Sequence, residues 1–209
     1  MTTQHQFLHD PATENLIKAI DKEIDDETMR VDKVPPMKMT GWTIHHDEGT
    51  SFFTMKREWR KENSKEPPES HVVRCQLTTR DVSLDPEQDI RGEHFPFTFQ
   101  VRKEGQVIDI AMDVIEGEVL AEDVSIYYQE PKDGLDADGL ALSSIERNMM
   151  YRGPVLDESE EEFLDGLQTW LAEREIDDQF GEFIGQQSVW IEQQEYERWL
   201  KELRRFVVA

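Results

Sequence analysis

One cysteine stands in the whole chain, Cys75, so no intrachain disulfide can form and no cysteine-cluster zinc site can be assembled. No Asn-x-Ser/Thr sequon occurs, which removes N-linked glycosylation. No apolar run approaches the roughly 20 residues of a membrane-spanning helix. The first nine residues hold neither an arginine nor an apolar core, so no signal or transit peptide is read there. Gly-x-Ser-x-Gly, His-Glu-x-x-His, the phosphate-binding glycine loop and the dinucleotide fingerprint are all missing. His45 and His46 are the nearest thing to a ligand pair, but neighbours on a strand point to opposite faces and cannot share a site. His5, His9, His71 and His94 have no spacing partner, and Cys75, on an alternating strand, reads as a small core residue. The sequence therefore offers no catalytic, cofactor-binding or metal-binding residue to name.

Cations are also scarce. Lys and Arg number 23 against 46 Asp and Glu, for a formal net charge of -23. That balance argues against nonspecific nucleic-acid binding, which needs cations against phosphates. It favours basic proteins, cationic peptides or metal ions as partners, besides keeping the chain in solution. The excess is concentrated: from Glu116 to Asp178 there are 19 acids and 4 bases.

What is present is a helix, a run of strands and two more helices, within one domain spanning 1–209. Asp10-Pro11 is a helix opening with Pro at the first helical position. Leu16, Ile17, Ile20, Ile24 and Val31 then form a stripe, and Pro35-Pro36 stops it, giving a helix over 10–32. Alternation follows over 37–152: Trp42 and Ile44; Phe53, Met55 and Trp59; Val73, Cys75 and Leu77; Phe95, Phe97, Phe99 and Val101; Ile108 to Val114; Leu120 to Tyr128. Arg60 to Ser70 and Asp85 to Gly92 read as polar loops, and a weaker seventh strand falls around Ile145 to Tyr151. Lys103-Glu104-Gly105 and Glu116-Gly117-Glu118 are short links, which imply antiparallel neighbours. Segregated strands and helices mean an α+β fold with about seven antiparallel strands.

The C-terminal stretch 157–207 reads as a helix pair. Asp157 before Glu160 predicts an N-cap with its reciprocal acid, and Phe163, Leu164, Leu167, Trp170 and Leu171 make the first apolar stripe. Arg174 falls in the last turn, where a cation suits the negative helix end, and Asp177-Asp178 opens the second helix. Asp157, Glu158, Glu160, Glu161, Glu162 and Asp165 exceed what a cap needs, and the excess points to a docking surface for cations. With Glu116, Glu118, Glu122, Asp123, Asp133, Asp136 and Asp138 they form the candidate partner-binding set. Asp133 to Gly139 hints at a calcium loop, but the bidentate acid at the twelfth position is replaced by Ile145.

The order Phe-Leu-Asp-Gly-Leu-x-x-Trp-Leu-x-Glu-Arg from Phe163, Ile-Asp-Asp-x-Phe from Ile176, and Glu-Tyr-Glu-Arg-Trp-Leu-Lys-Glu-Leu-Arg-Arg-Phe-Val from Glu195 resembles the C-terminus of the mitochondrial glycoprotein family. The resemblance is specific for about 50 residues and rests on layout upstream. It implies a twisted antiparallel sheet with terminal helices packed together, and a ring-shaped homotrimer. It further implies a non-enzymatic acidic adaptor or chaperone-like protein of the mitochondrial matrix. Such a protein would bind basic partners, RNA-binding or ribosomal proteins among them, and support mitochondrial gene expression and respiration. The family's "glycoprotein" name finds no support in a chain without a sequon. Relatives commonly place Gly after the Glu-Arg or Asp-Arg that ends the first C-terminal helix, whereas Glu175 stands here, so a strained turn is expected. Two other readings remain open at this stage: a low-affinity divalent-cation buffer, and an enzyme whose site the motifs do not reveal.

Overall fold

The computed structural model describes residues 10–30, 34–77, 82–85, 90–92, 94–128, 149, 151–154 and 156–209. Helix α1 runs Pro11–Met29, and Asp10 caps it by accepting from the Ala12 and Thr13 amides at 2.9 and 3.2 Å. It ends well before Pro35. Arg30 already has extended backbone, its guanidinium returning to Glu27 and across to Gln193, so the helix stops before proline could end it. Val31 of the expected stripe lies outside the described residues.

Six strands make one antiparallel sheet: β1 (Thr43–His45), β2 (Phe52–Trp59), β3 (Glu69–Gln76), β6 (His94–Lys103), β7 (Gln106–Ile115) and β8 (Glu118–Tyr128), in the order β1-β2-β3-β6-β7-β8. Between β3 and β6 the chain makes a two-stranded ribbon, β4 (Val82–Asp85) with β5 (Ile90–Gly92). The ribbon corrects the loop expected from Asp85 to Gly92, because strands of three or four residues leave too short an alternation to read. The loop expected from Arg60 to Ser70 also ends early, since β3 begins at Glu69. Of the expected seventh strand, Met149 has helical backbone and Tyr151 lies in no regular element; 145–148 and 150 fall outside the described residues.

Both β6–β7 and β7–β8 are joined by two residues with positive φ, Glu104-Gly105 (50° and 78°) and Glu116-Gly117 (52° and 89°). Two such residues form the turn whose twist matches its flanking strands. The register that follows sends Phe95, Phe97, Phe99 and Val101 inward beside Ile110, Met112 and Val114. A 3-10 turn at Leu156–Glu158 and two helices, α2 (Glu161–Glu173) and α3 (Asp178–Val208), complete the chain. Leu171, Ile176, Phe180, Phe183, Ile184 and Ile191 close the core from the helical side.

The N-cap expected at Asp157 is displaced. Leu156 is buried, Ser159 N–H donates to its carbonyl at 2.9 Å, and helix α2 starts only after Glu160, which makes no side-chain capping bond. Burying Leu156 consumes the residues that a cap would have used. Asp177 does cap α3, accepting from Phe180 N–H at 3.1 Å. Helix α3 lies against α1 as the resemblance implied. Tyr196 donates to Glu23 at 2.9 Å, Arg204 pairs with Asp21, and Gln193 bonds Glu27. Among the described residues the architecture is thus α+β, with three helices and a six-stranded antiparallel sheet.

Candidate functional site

A buried set of titratable groups lies where the α2–α3 corner meets β2 and β3. Glu69, His71, Val73 and Cys75 alternate along β3 on the helix-facing side. Reading that strand two residues further back would have given His71 a partner. His71 is fully buried, edge-on to Phe99 and stacked on Trp59. Its Nδ1 accepts from Arg57 Nε at 3.2 Å, so the Nε2–H donates to Glu69 at 3.0 Å. Arg174, which the sequence offered as a partner for the helix end, is buried. It donates to Trp170 O at 3.0 Å and grips Glu69 with two bonds of 2.8 and 2.7 Å, its guanidinium 3.6 Å from the Trp170 ring centre.

Burial pushes His71 down to about 4, with Arg57 and Arg174 adding to the effect against Glu69. Burial alone would raise the Glu69 carboxyl, but hydrogen bonds from Arg174 and His71 bring it below its ordinary value. A neutral histidine between a cation and a carboxylate could in principle move protons. Here every polar atom of the ring is already engaged and aromatic rings enclose it, so no substrate reaches it. The cluster fastens the helical corner to the sheet. The corner itself is a complete Schellman turn: Ile176 N–H donates to Leu171 O and Glu175 N–H to Ala172 O. Glu175 occupies its left-handed position at φ 56°, as the missing glycine led one to expect, and reaches Arg57 at 2.5 Å.

His45 ends β1 and His46 lies just beyond it; they diverge, His45 toward Asp47 and His46 toward Phe52 O and Glu195. Cys75 is buried 3.2 Å from Ser188, and burial pushes its thiol to about 12, as befits a core residue.

The acids singled out from the sequence fall into two groups. Glu116 and Glu118 stand exposed at the β7–β8 turn, beside the start of α3, where Asp178 accepts from Val119 N–H at 3.2 Å. Glu122 is exposed farther along β8, and Asp123 is half-buried and paired with Arg152 at 3.2 Å. The chain returning along β8, with Val124 N–H donating to Arg152 O, brings the 3-10 turn against that strand. Glu158, Glu160, Glu161, Glu162 and Asp165 follow from there, all exposed. Asp133, Asp136 and Asp138 and the calcium-like loop lie outside the described residues, as does the side chain of Asp157.

Pairing separates these acids from several on α1 and α3, though not from every other acid: Glu14, Asp25, Glu48, Glu58, Glu62 and Glu104 are likewise exposed without an ion pair among the described residues. Asp21, Glu23 and Glu27, where α1 meets α3, hold Arg204, Tyr196 and Gln193, and on α3 Glu195 and Glu202 both hold Arg198. Glu116, Glu118, Glu122, Glu158, Glu160, Glu161, Glu162 and Asp165 face solvent without a cationic partner among the described residues. Among the described residues no group of three or more His, Cys, Asp or Glu converges as a metal site, and no helix is long and apolar enough to cross a membrane.

The profile of the mitochondrial glycoprotein family matches residues 15–207. The mitochondrial acidic protein mam33 of Schizosaccharomyces pombe is 26% identical over 219 residues, covering 92% of this chain and 77% of that protein. Two solved structures share the fold. The Trypanosoma brucei p22 protein superposes with a TM-score of 0.73 at 26% identity, covering 95% of this chain and all of that one. A Leishmania major protein, described as of unknown function and a sequence homologue of human p32, superposes with a TM-score of 0.70 at 25% identity, covering 94% and 99%.

Proposed function

This chain belongs to the mitochondrial glycoprotein family, a family of mitochondrial proteins, and from that premise we propose that it is a non-enzymatic, acidic, homotrimeric adaptor of the mitochondrial matrix that binds basic proteins. The unpaired carboxylates on β8, its turn and the start of α2 carry this reading. An acid that already holds an arginine has little left for a partner, whereas eight solvated acids without counter-cations create a field that attracts a cationic segment and repels nucleic acid. RNA-binding or ribosomal proteins of the matrix have the required charge, which ties the adaptor to mitochondrial gene expression and, through it, to respiration.

Affinity capture from a mitochondrial extract, eluted with a salt gradient, tests the reading. Basic proteins should be retained at low salt and released together as screening shortens the reach of each charge. Retention of acidic or neutral proteins, or release only by detergent, would contradict it.

A further inference from the structure

Beside the acids of the β7–β8 turn lies an apolar groove of about 920 Å³. Val34 to Met37, the segment after α1, forms one wall; Phe95 and Val114 of the sheet form the floor; and the flank of α3 from Gly181 to Gln193 forms the other wall. Two glycines a turn apart seat that flank close to the sheet. A Cβ at 181 would lie 2.6 Å from Val119 Cγ2, and one at 185 would lie 3.1 Å from the Phe95 ring. Val189 and Trp190 then project along the same stretch. Apolar surface left open here is considerable: Val34 is 76% exposed, Met37 87% and Val189 45%.

Three charged residues line the groove, and their states differ. Arg30 is already held by Glu27 and Gln193. Glu116 and Glu182 have no cationic partner among the described residues, and Glu182 holds only the Gln186 amide, at 3.0 Å. Both stand at one end, because the position of a Cβ on Gly181 is 3.3 Å from Gly117 O. Glu118 and Asp178 flank the same end. The groove therefore has an apolar length and a single anionic mouth. Its wall on α3 extends over about 18 Å at 1.5 Å per residue, the length of some three helical turns.

We propose that this groove docks an amphipathic helix of a basic partner, with an apolar stripe laid between the 34–37 segment and α3 and its Lys or Arg residues clustered at the end that meets Glu116 and Glu182. The inference rests on the adaptor reading and narrows it: the partner is chosen by an apolar stripe as well as by charge. Cations at the mouth set the direction of the bound helix, and the apolar contacts move its release toward the upper end of the salt gradient without abolishing it.

The test uses the full-length protein and two synthetic peptides of about 14 residues. One carries Leu at i, i+3, i+4 and i+7 with three Lys at one end; the control has the same composition with the stripe scrambled. Calorimetry should show the striped peptide binding with a negative heat-capacity change, the mark of apolar burial, and the control binding at least tenfold more weakly. Val189→Asp should weaken the striped peptide by roughly tenfold or more, although it adds negative charge, because the new carboxylate faces the stripe. Met37→Asp on the opposite wall is the second variant, and Glu116→Gln with Glu182→Gln should weaken binding and flatten its salt dependence. Equal binding of both peptides overturns the groove and leaves the adaptor reading standing. So does loss of binding only when the acids at 158–165 are neutralised. A fall in oligomeric mass on Val189→Asp overturns it by assigning the groove to a second copy of this chain. No binding of either peptide, or of any basic protein, overturns both.

Discussion

Glu175 sets two forces against each other at one residue. Its φ of 56° is the conformation that glycine adopts freely, and an L side chain resists it by about 1 to 2 kcal/mol. Its carboxylate, 71% exposed, lies 2.5 Å from a guanidinium that is only 4% exposed. Removing the charge would leave Arg57 with His71 Nδ1 and Arg174 O as its remaining acceptors. Breaking a fully buried pair costs several kcal/mol, but water on the Glu175 side reduces this to about 1 to 2 kcal/mol. Glu175→Gln keeps the backbone strain and loses the charge, so it should destabilise the protein by that amount. Glu175→Gly loses the charge and the strain together. After the extra unfolded-state freedom of glycine is allowed for, it should stand about 1 kcal/mol above Glu175→Gln and near the parent protein. Strain relief alone would have made Glu175→Gly stabilising; the Arg57 pair offsets the gain. Urea unfolding at one fixed protein concentration measures all three, since the proposed assembly would link stability to concentration. Glu175→Gly no more stable than Glu175→Gln would refute the strained turn. Glu175→Gly more stable than the parent by over 1 kcal/mol would refute the clamp.

His71 titrates at about 4 in the folded protein against an ordinary 6.5, so the unfolded chain binds its proton first as pH falls. Stability should therefore decline between about pH 6.5 and 4 by about 3 kcal/mol from this group, and urea midpoints of His71→Asn should lack that component of the decline. Light scattering at moderate salt should give three times the 24.6 kDa chain mass, with assembly tightening as salt rises because like charges are screened; a mass of one chain would exclude the trimer.

Local chemistry made much of the fold legible. Asp10-Pro11 and Asp177 announce helix starts through caps that need only neighbouring amides. Phe95, Phe97, Phe99 and Val101 announce a half-buried strand, and Glu104-Gly105 and Glu116-Gly117 its tight turns. The strained Glu175 was readable through the family resemblance, because relatives commonly carry at that helix end the glycine that takes a positive φ freely. What escaped depends on residues far apart in sequence. Arg174 was readable as a charge at a helix end, but its grip on Glu69 joins positions 105 residues apart. The cap expected at Asp157 was lost to the burial of Leu156. Glu182 drew no notice because a lone exposed acid on a helix is ordinary; only the meeting of α3 with Gly117 puts it at a groove mouth. The acid-rich span was visible as composition, whereas which of its members lack cations required the fold.

The adaptor account stands on unpaired carboxylates, and one titration addresses them directly. Binding of a fluorescent oligolysine to the parent protein and to the combined Glu158→Gln, Glu161→Gln, Glu162→Gln and Asp165→Asn variant is followed over a series of salt concentrations. All four side chains are exposed, so the variant should unfold at the same urea concentration as the parent. Each exposed pair contributes only about 0 to 1 kcal/mol, so the four together should weaken binding roughly tenfold or more at low salt and reduce its dependence on salt, while single changes show little. Unchanged affinity in the folded variant, or parent binding that does not weaken as salt rises, would contradict the account.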